Sequence, residues 1–85
     1  MILNNLTSSI ADFQITTGYG RDLYLSVTDN RYVEGDLSIY ESPFVVAVTV
    51  DEENCSLAGV ERERLVTVLR NSEGVLSIVA TEAGE

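Results

Sequence analysis

Apolar positions recur along this chain with two different periods, and the period changes from one segment to the next. At the start, Leu3, Leu6, Ile10 and Phe13 are separated by Asn, Thr and Ser at helical spacing. That repeat predicts a short amphipathic helix over Ile2 to Asp12, with an extended arm docked on a neighbour as the alternative. Gly18-Tyr19-Gly20 is a turn signal, because glycine admits the positive φ values of tight turns. After it, Leu23, Leu25 and Val27 alternate with Tyr24, Ser26 and Thr28, the period-two pattern of a half-buried strand. Phe13 to Thr16 is a candidate hairpin partner. Asp29-Asn30 marks the next turn, and Leu37 to Tyr40 predicts another strand before Ser42-Pro43.

Phe44-Val45-Val46-Ala47-Val48-Thr49-Val50 is the clearest element. A near-continuous apolar run of this length predicts a central strand covered on both faces. It stops at Asp51-Glu52-Glu53-Asn54, where charge and turn propensity coincide. Leu57 to Arg70 is ambiguous. On a helix, Leu57, Val60, Leu65, Val68 and Leu69 form one side, with Ser56 as a cap and Asn71 to Gly74 as a stop. As a strand, Glu61-Arg62-Glu63-Arg64 has no apolar face. Helix is the preferred reading, and β-branched Val66, Thr67 and Val68 keep strand as the alternative. Val75 to Ala80 closes the chain as a strand.

The predicted class is therefore α+β: a small single-layer, mostly antiparallel sheet of roughly four to five strands, with one or two helices packed on one face. The last strand–helix–strand unit could instead cross over to a parallel neighbour. The 85 residues suit a single domain, 1–85, whose last residues, 83–85, form a short frayed tail. With 45% hydrophobic residues the chain can build a core. Its size places the expected stability at roughly 4–13 kcal/mol.

Charge narrows the function. Fourteen carboxylates face five arginines, with no lysine and no histidine, for a net charge of −9. The acids are spread along both halves of the chain rather than gathered in a tail. Phosphate contacts need clustered cations, so direct binding of nucleic acid is disfavoured, as are anionic membrane surfaces. A basic protein surface is the better partner. Cys55 has no second cysteine to pair with. The absence of a signal-like or spanning apolar stretch leads to the expectation of a soluble, cytoplasmic protein. The acceptor-type triplets Asn5-Leu6-Thr7 and Asn54-Cys55-Ser56 carry little weight on that expectation.

Histidine and lysine supply most neutral-pH acid–base and Schiff-base chemistry, so their absence predicts a non-enzyme without cofactor or metal. Thr16-Thr17-Gly18-Tyr19-Gly20 approaches the potassium-filter pattern but lacks its valine and any bilayer-spanning segment. Asp51-Glu52-Glu53-Asn54 and the set Asp29, Asn30, Glu34 and Asp36 offer oxygen ligands, but neither has the spacing or central glycine of a calcium loop. Cys55 lies beside acids, which raise a thiol pKa, and is expected to be structural.

The expected function is that of a small acidic binding module, an inhibitor or regulator that engages a basic protein surface. In size and charge it is like the phage-type antagonists that mimic nucleic acid. The expected contact residues are Asp51, Glu52, Glu53, Glu61 and Glu63, with Tyr19 as an aromatic anchor. The alternative is a structural or assembly subunit forming a homo-oligomer through strand edges or its N-terminal segment. A third reading, that the charge reflects a high-salt habitat, draws on the arginine-without-lysine composition.

Overall fold

The computed structural model describes residues 1–82 and contains eight strands and no helix. They are β1 (Ile2–Asn5), β2 (Ala11–Thr16), β3 (Asp22–Val27), β4 (Arg31–Glu34), β5 (Phe44–Val50), β6 (Glu53–Val60), β7 (Arg64–Arg70) and β8 (Leu76–Glu82). Two four-stranded sheets stack face to face: sheet I in the order β4-β1-β7-β8, sheet II in the order β3-β2-β5-β6. All pairings are antiparallel except β1 with β7. The α+β expectation is thus overturned: the protein is a β-sandwich, two layers of sheet with no helical layer.

Both predicted helices fail for the same reason, an apolar face drawn across a turn. In the first, Leu3 and Phe13 point into the core from β1 and β2, while Leu6 and Ile10 sit exposed in the corner that carries the chain between sheets. In the second, Glu61 to Glu63 lie in the turn between β6 and β7, so Val60 and the pair Val66 and Val68 belong to different strands. The strand alternative favoured by Val66-Thr67-Val68 is the one observed. Leu37 to Tyr40 is a loop rather than a strand, and a strand forms upstream at Arg31–Glu34 instead. The proposed tail at 83–85 lies outside the described residues.

Other expectations match. The β2–β3 hairpin pairs Phe13 with Leu25 and Ile15 with Leu23. The valine run is an interior strand of sheet II, but only its inner face is covered. Phe44, Val46, Val48 and Val50 are buried, whereas Val45, Ala47 and Thr49 lie on the outer surface. The core joins these side chains to Ala11, Phe13, Ile15 and Val27 of sheet II and to Leu3, Val66 and Val68 of sheet I. The four edge strands meet in two seams, β3 beside β4 and β6 beside β8, which shelters edges that would otherwise template foreign strands.

Specific polar contacts close the corners. Asn5 is fully buried, and its Nδ2 donates to the carbonyls of Ser9 (2.8 Å), Val27 (3.0 Å) and Thr28 (3.2 Å). Its Oδ1 accepts from the Thr7 backbone N–H (2.9 Å) and hydroxyl (2.6 Å). Asn5 therefore ties β1, the corner and the end of β3 together, and its buried amide is closed to glycosylation. The long loop after β4 is tied down too. Arg62 Nε and Nη2 donate to the carbonyls of Leu37 (3.1 Å) and Tyr40 (2.6 Å), and the Gly18 N–H donates to Glu41 O at 2.6 Å. A Cβ at Gly18 would approach Glu41 and Ser42 to about 3.1–3.2 Å, which explains glycine there.

Candidate functional site

Strand alternation sorts every outward side chain onto one of two faces, and strand register sets them in rows. On the outer face of sheet II, one row runs Ser26, Asp12, Thr49, Asn54 and the next runs Tyr24, Gln14, Ala47, Ser56. The first row is internally committed. Ser26 Oγ donates to Asp12 Oδ1 at 2.7 Å, and Thr49 Oγ1 donates to Asn54 Oδ1. Beyond the second row, Thr16 Oγ1 donates to Asp22 Oδ1 at 2.8 Å. The small side chains of Ala47 and Ser56 leave a trough of about 570 Å³ between taller neighbours, with Tyr24 forming one wall. Tyr24 is 71% exposed, so its ring is available to a partner. The trough holds one carboxylate, Asp12, and no cation.

The acidic residues expected to form one contact surface are not brought together. Asp51 and Glu52 form a two-residue hairpin loop, both at positive φ (50° and 68°), the geometry of a type I′ turn between Val50 and Glu53. Glu61 and Glu63 occupy the turn at the other end of β6, roughly 25 Å away at the rise of an extended strand. Asp51 and Glu53 are also engaged within the protein. Arg70 of sheet I reaches Glu53 Oε1 at 2.9 Å and Asp51 Oδ2 at 3.7 Å, and Ser9 Oγ donates to Asp51 Oδ2 at 2.8 Å. These contacts tie the hairpin of one sheet to the end of the other, and they leave Glu52 as the free acid of that turn. Tyr19 stands at the tip of the β2–β3 hairpin, 85% exposed, at the end of the sandwich that carries Glu61 and Glu63. The six residues thus divide into two ends: Asp51, Glu52 and Glu53 at one, Tyr19, Glu61 and Glu63 at the other.

Among the described residues, no three acidic or cysteine side chains converge as metal ligands would. No helix among them is long and apolar enough to cross a membrane. Compared with family models, curated proteins and solved structures, the chain matches none.

Cys55 points inward from β6, opposite Val48, and packs half-buried against the core. Burial pushes its thiol pKa up, away from the thiolate that reacts. Alkylation by iodoacetamide at pH 7.5 should therefore be slower in the folded protein than in the urea-unfolded chain. Equal rates would contradict this burial.

None of the trough residues Asp12, Gln14, Tyr24, Asn54 and Ser56 was expected from the sequence as a contact residue. Their signal is present, as polar alternation with buried Phe13, Ile15, Val46 and Val48, but it marks an outer face without saying which strands share it.

Proposed function

We propose that this protein is a non-catalytic binding module that receives a protein partner in the trough on the outer face of sheet II. The observation that carries this reading is the trough itself: an exposed tyrosine beside small residues on a rigid four-stranded platform, lined by hydrogen-bonding side chains. Tyrosine supplies large contact area at little conformational cost and is enriched among residues that dominate binding energy. The lone carboxylate and the missing cations favour a segment rich in donors or carrying a basic residue over an anionic ligand. The acidic turns at both ends of the sheet then act by steering: a net charge of −9 attracts a basic surface from a distance and speeds its approach. Asp12, already accepting from Ser26, anchors the donor that arrives. No step of chemistry is assigned, since neither histidine nor lysine is available and the trough offers no second carboxylate to pair with Asp12.

The test compares baits of wild type, Tyr24→Ala, and Asp51→Arg with Glu52→Arg, challenged with host lysate and then with the purified captured protein. Tyr24→Ala should weaken binding by about 30-fold or more, through loss of an anchor worth roughly 2 kcal/mol. The arginine pair should slow association and flatten its salt dependence while changing dissociation little. A partner bound equally well by the Tyr24→Ala bait would refute the trough as the site.

A further inference from the structure

We propose that the trough on sheet II is an arginine site; resting on the reading above, the partner received there enters it with a guanidinium. Hydrogen-bond accounting along the first row points to this chemistry. Ser26 and Thr49 each have one hydroxyl proton, and both protons are spent inside the protein, on Asp12 Oδ1 at 2.7 Å and on Asn54 Oδ1. What these two hydroxyls turn outward is lone pairs. Between them stands the Asp12 carboxylate, whose Oδ2 takes no hydrogen bond among the described residues. Three adjacent strands therefore present three acceptors in line, about 4.8 Å apart, and no donor at those positions. A ligand group with acceptors of its own meets lone pair with lone pair there. A group that only donates is satisfied at every position, and the side chains of that kind with several donors are lysine and arginine.

The protein does not supply that cation itself. Arg62 donates to the carbonyls of Leu37 and Tyr40, Arg64 pairs with Glu82 at 3.8 Å, and Arg70 pairs with Asp51 and Glu53. Arg21 lies over the Tyr40 ring at 5.9 Å, and Arg31 starts β4 in the other sheet. Asp12 consequently has no ion-pair partner among the described residues.

Tyr24 separates arginine from lysine. It sits two residues from Ser26 on β3, diagonal to Asp12, and a diagonal of about 7–8 Å is within reach of long side chains. A planar guanidinium can lie flat on the exposed ring while its edge forks onto Asp12 Oδ2 and a neighbouring hydroxyl oxygen. Arg21 on Tyr40 is the same kind of stack within the chain. Lysine's ammonium is a compact, strongly hydrated point charge that must choose between ring and carboxylate. The low floor at Ala47, diagonal to Asp12 on the other side, leaves room for the aliphatic stem.

NMR titration of the isotope-labelled full chain with N-acetyl-arginine amide, N-acetyl-lysine amide and N-acetyl-citrulline amide tests this. The arginine probe should shift the amide signals of Asp12, Gln14, Tyr24 and Ser26 with a Kd on the order of millimolar. The lysine probe should bind there about fivefold or more weakly. Citrulline keeps arginine's shape but is neutral and brings an acceptor, and it should not bind. Asp12→Asn should weaken the arginine probe about tenfold, and Tyr24→Leu should erase the preference over lysine. Both positions are exposed, and the spectra report the folding of each variant. Arginine shifts confined to the acidic turns, equal affinity of both cations for the trough, or an unchanged Kd in Asp12→Asn would each overturn the proposal. Its failure is separable from that of the trough as the partner's site. If no arginine probe binds while the Tyr24→Ala bait still loses the captured protein, the trough stands and its arginine does not. If the probe binds in the trough while that bait keeps its partner, the arginine chemistry stands and the partner's site lies elsewhere.

Discussion

Asn5→Asp is expected to be the most damaging single-atom change in this protein, lowering stability at pH 7 by roughly 3–5 kcal/mol. The native amide gives its protons to three backbone carbonyls and accepts twice from Thr7, all at a fully buried site. A carboxylate there keeps the acceptor half and loses every donor, so three carbonyls face a buried negative charge. Against an expected total of roughly 4–13 kcal/mol, that can unfold the protein outright. Asn5→Ala removes the same bonds without adding charge, and should cost about 2–4 kcal/mol.

Acid separates the two variants. Burial raises the introduced carboxyl's folded pKa above the unfolded value near 4, so the unfolded state holds fewer protons and stability falls as pH rises through that interval. Relative to wild type at each pH, Asn5→Asp should therefore recover part of its loss as pH drops from 7 towards 4, while Asn5→Ala should show no such recovery. Thermal melts at several pH values read this directly. An Asn5→Asp protein as stable as wild type at pH 7 would mean that the corner does not depend on this hub.

That hub shows why part of the fold could be read from the sequence and part could not. Strand positions came through where period-two alternation backed them, as for Leu23, Leu25 and Val27 in β3, or where an almost unbroken apolar run did, as for Phe44 to Val50 in β5. Even there the sequence overstated burial. Val45 and Ala47 suggested a second covered face, yet they form an outer surface, and Ala47 is the low floor of the trough. Helical spacing misled wherever a turn happened to keep the apolar count in phase, as between Val60 at the end of β6 and Leu65 in β7. Asn5 gave no signal because its partners Ser9, Val27 and Thr28 assemble only when β1, the corner and β3 meet. The trough is hidden for the same reason: its rows join residues from four strands, and register across four strands is a tertiary property. Asp51 and Glu52 were located correctly in a turn, whereas Glu61 and Glu63, read as part of a helix, lie in the turn at the other end of β6, and turns at opposite ends of a strand cannot make one patch.

Phe13→Ala is the second large effect expected, about 3–5 kcal/mol, and Phe13 also provides a test of how the platform serves the site. Its ring is almost fully buried, in register with Val48 on one side and Leu25 on the other. Sheet ladders on both sides hold these neighbours, so they cannot collapse into the space, and the cavity term adds to the lost transfer energy. Phe13→Leu keeps most of the volume and should cost about 1–1.5 kcal/mol. Asp12 and Gln14, the residues on either side, face the opposite way and line the trough. Inner and outer substitutions on β2 should consequently have separable effects. Phe13→Leu should lower the melting temperature while partner capture persists at temperatures where the variant is folded. Gln14→Ala should leave the melting temperature near wild type and weaken capture. If Phe13→Leu, demonstrably folded, lost the partner as completely as Gln14→Ala, the rigid alternation that positions the trough would be the wrong account of it. Stability and recognition would then share residues that the sandwich geometry keeps on opposite faces of one strand.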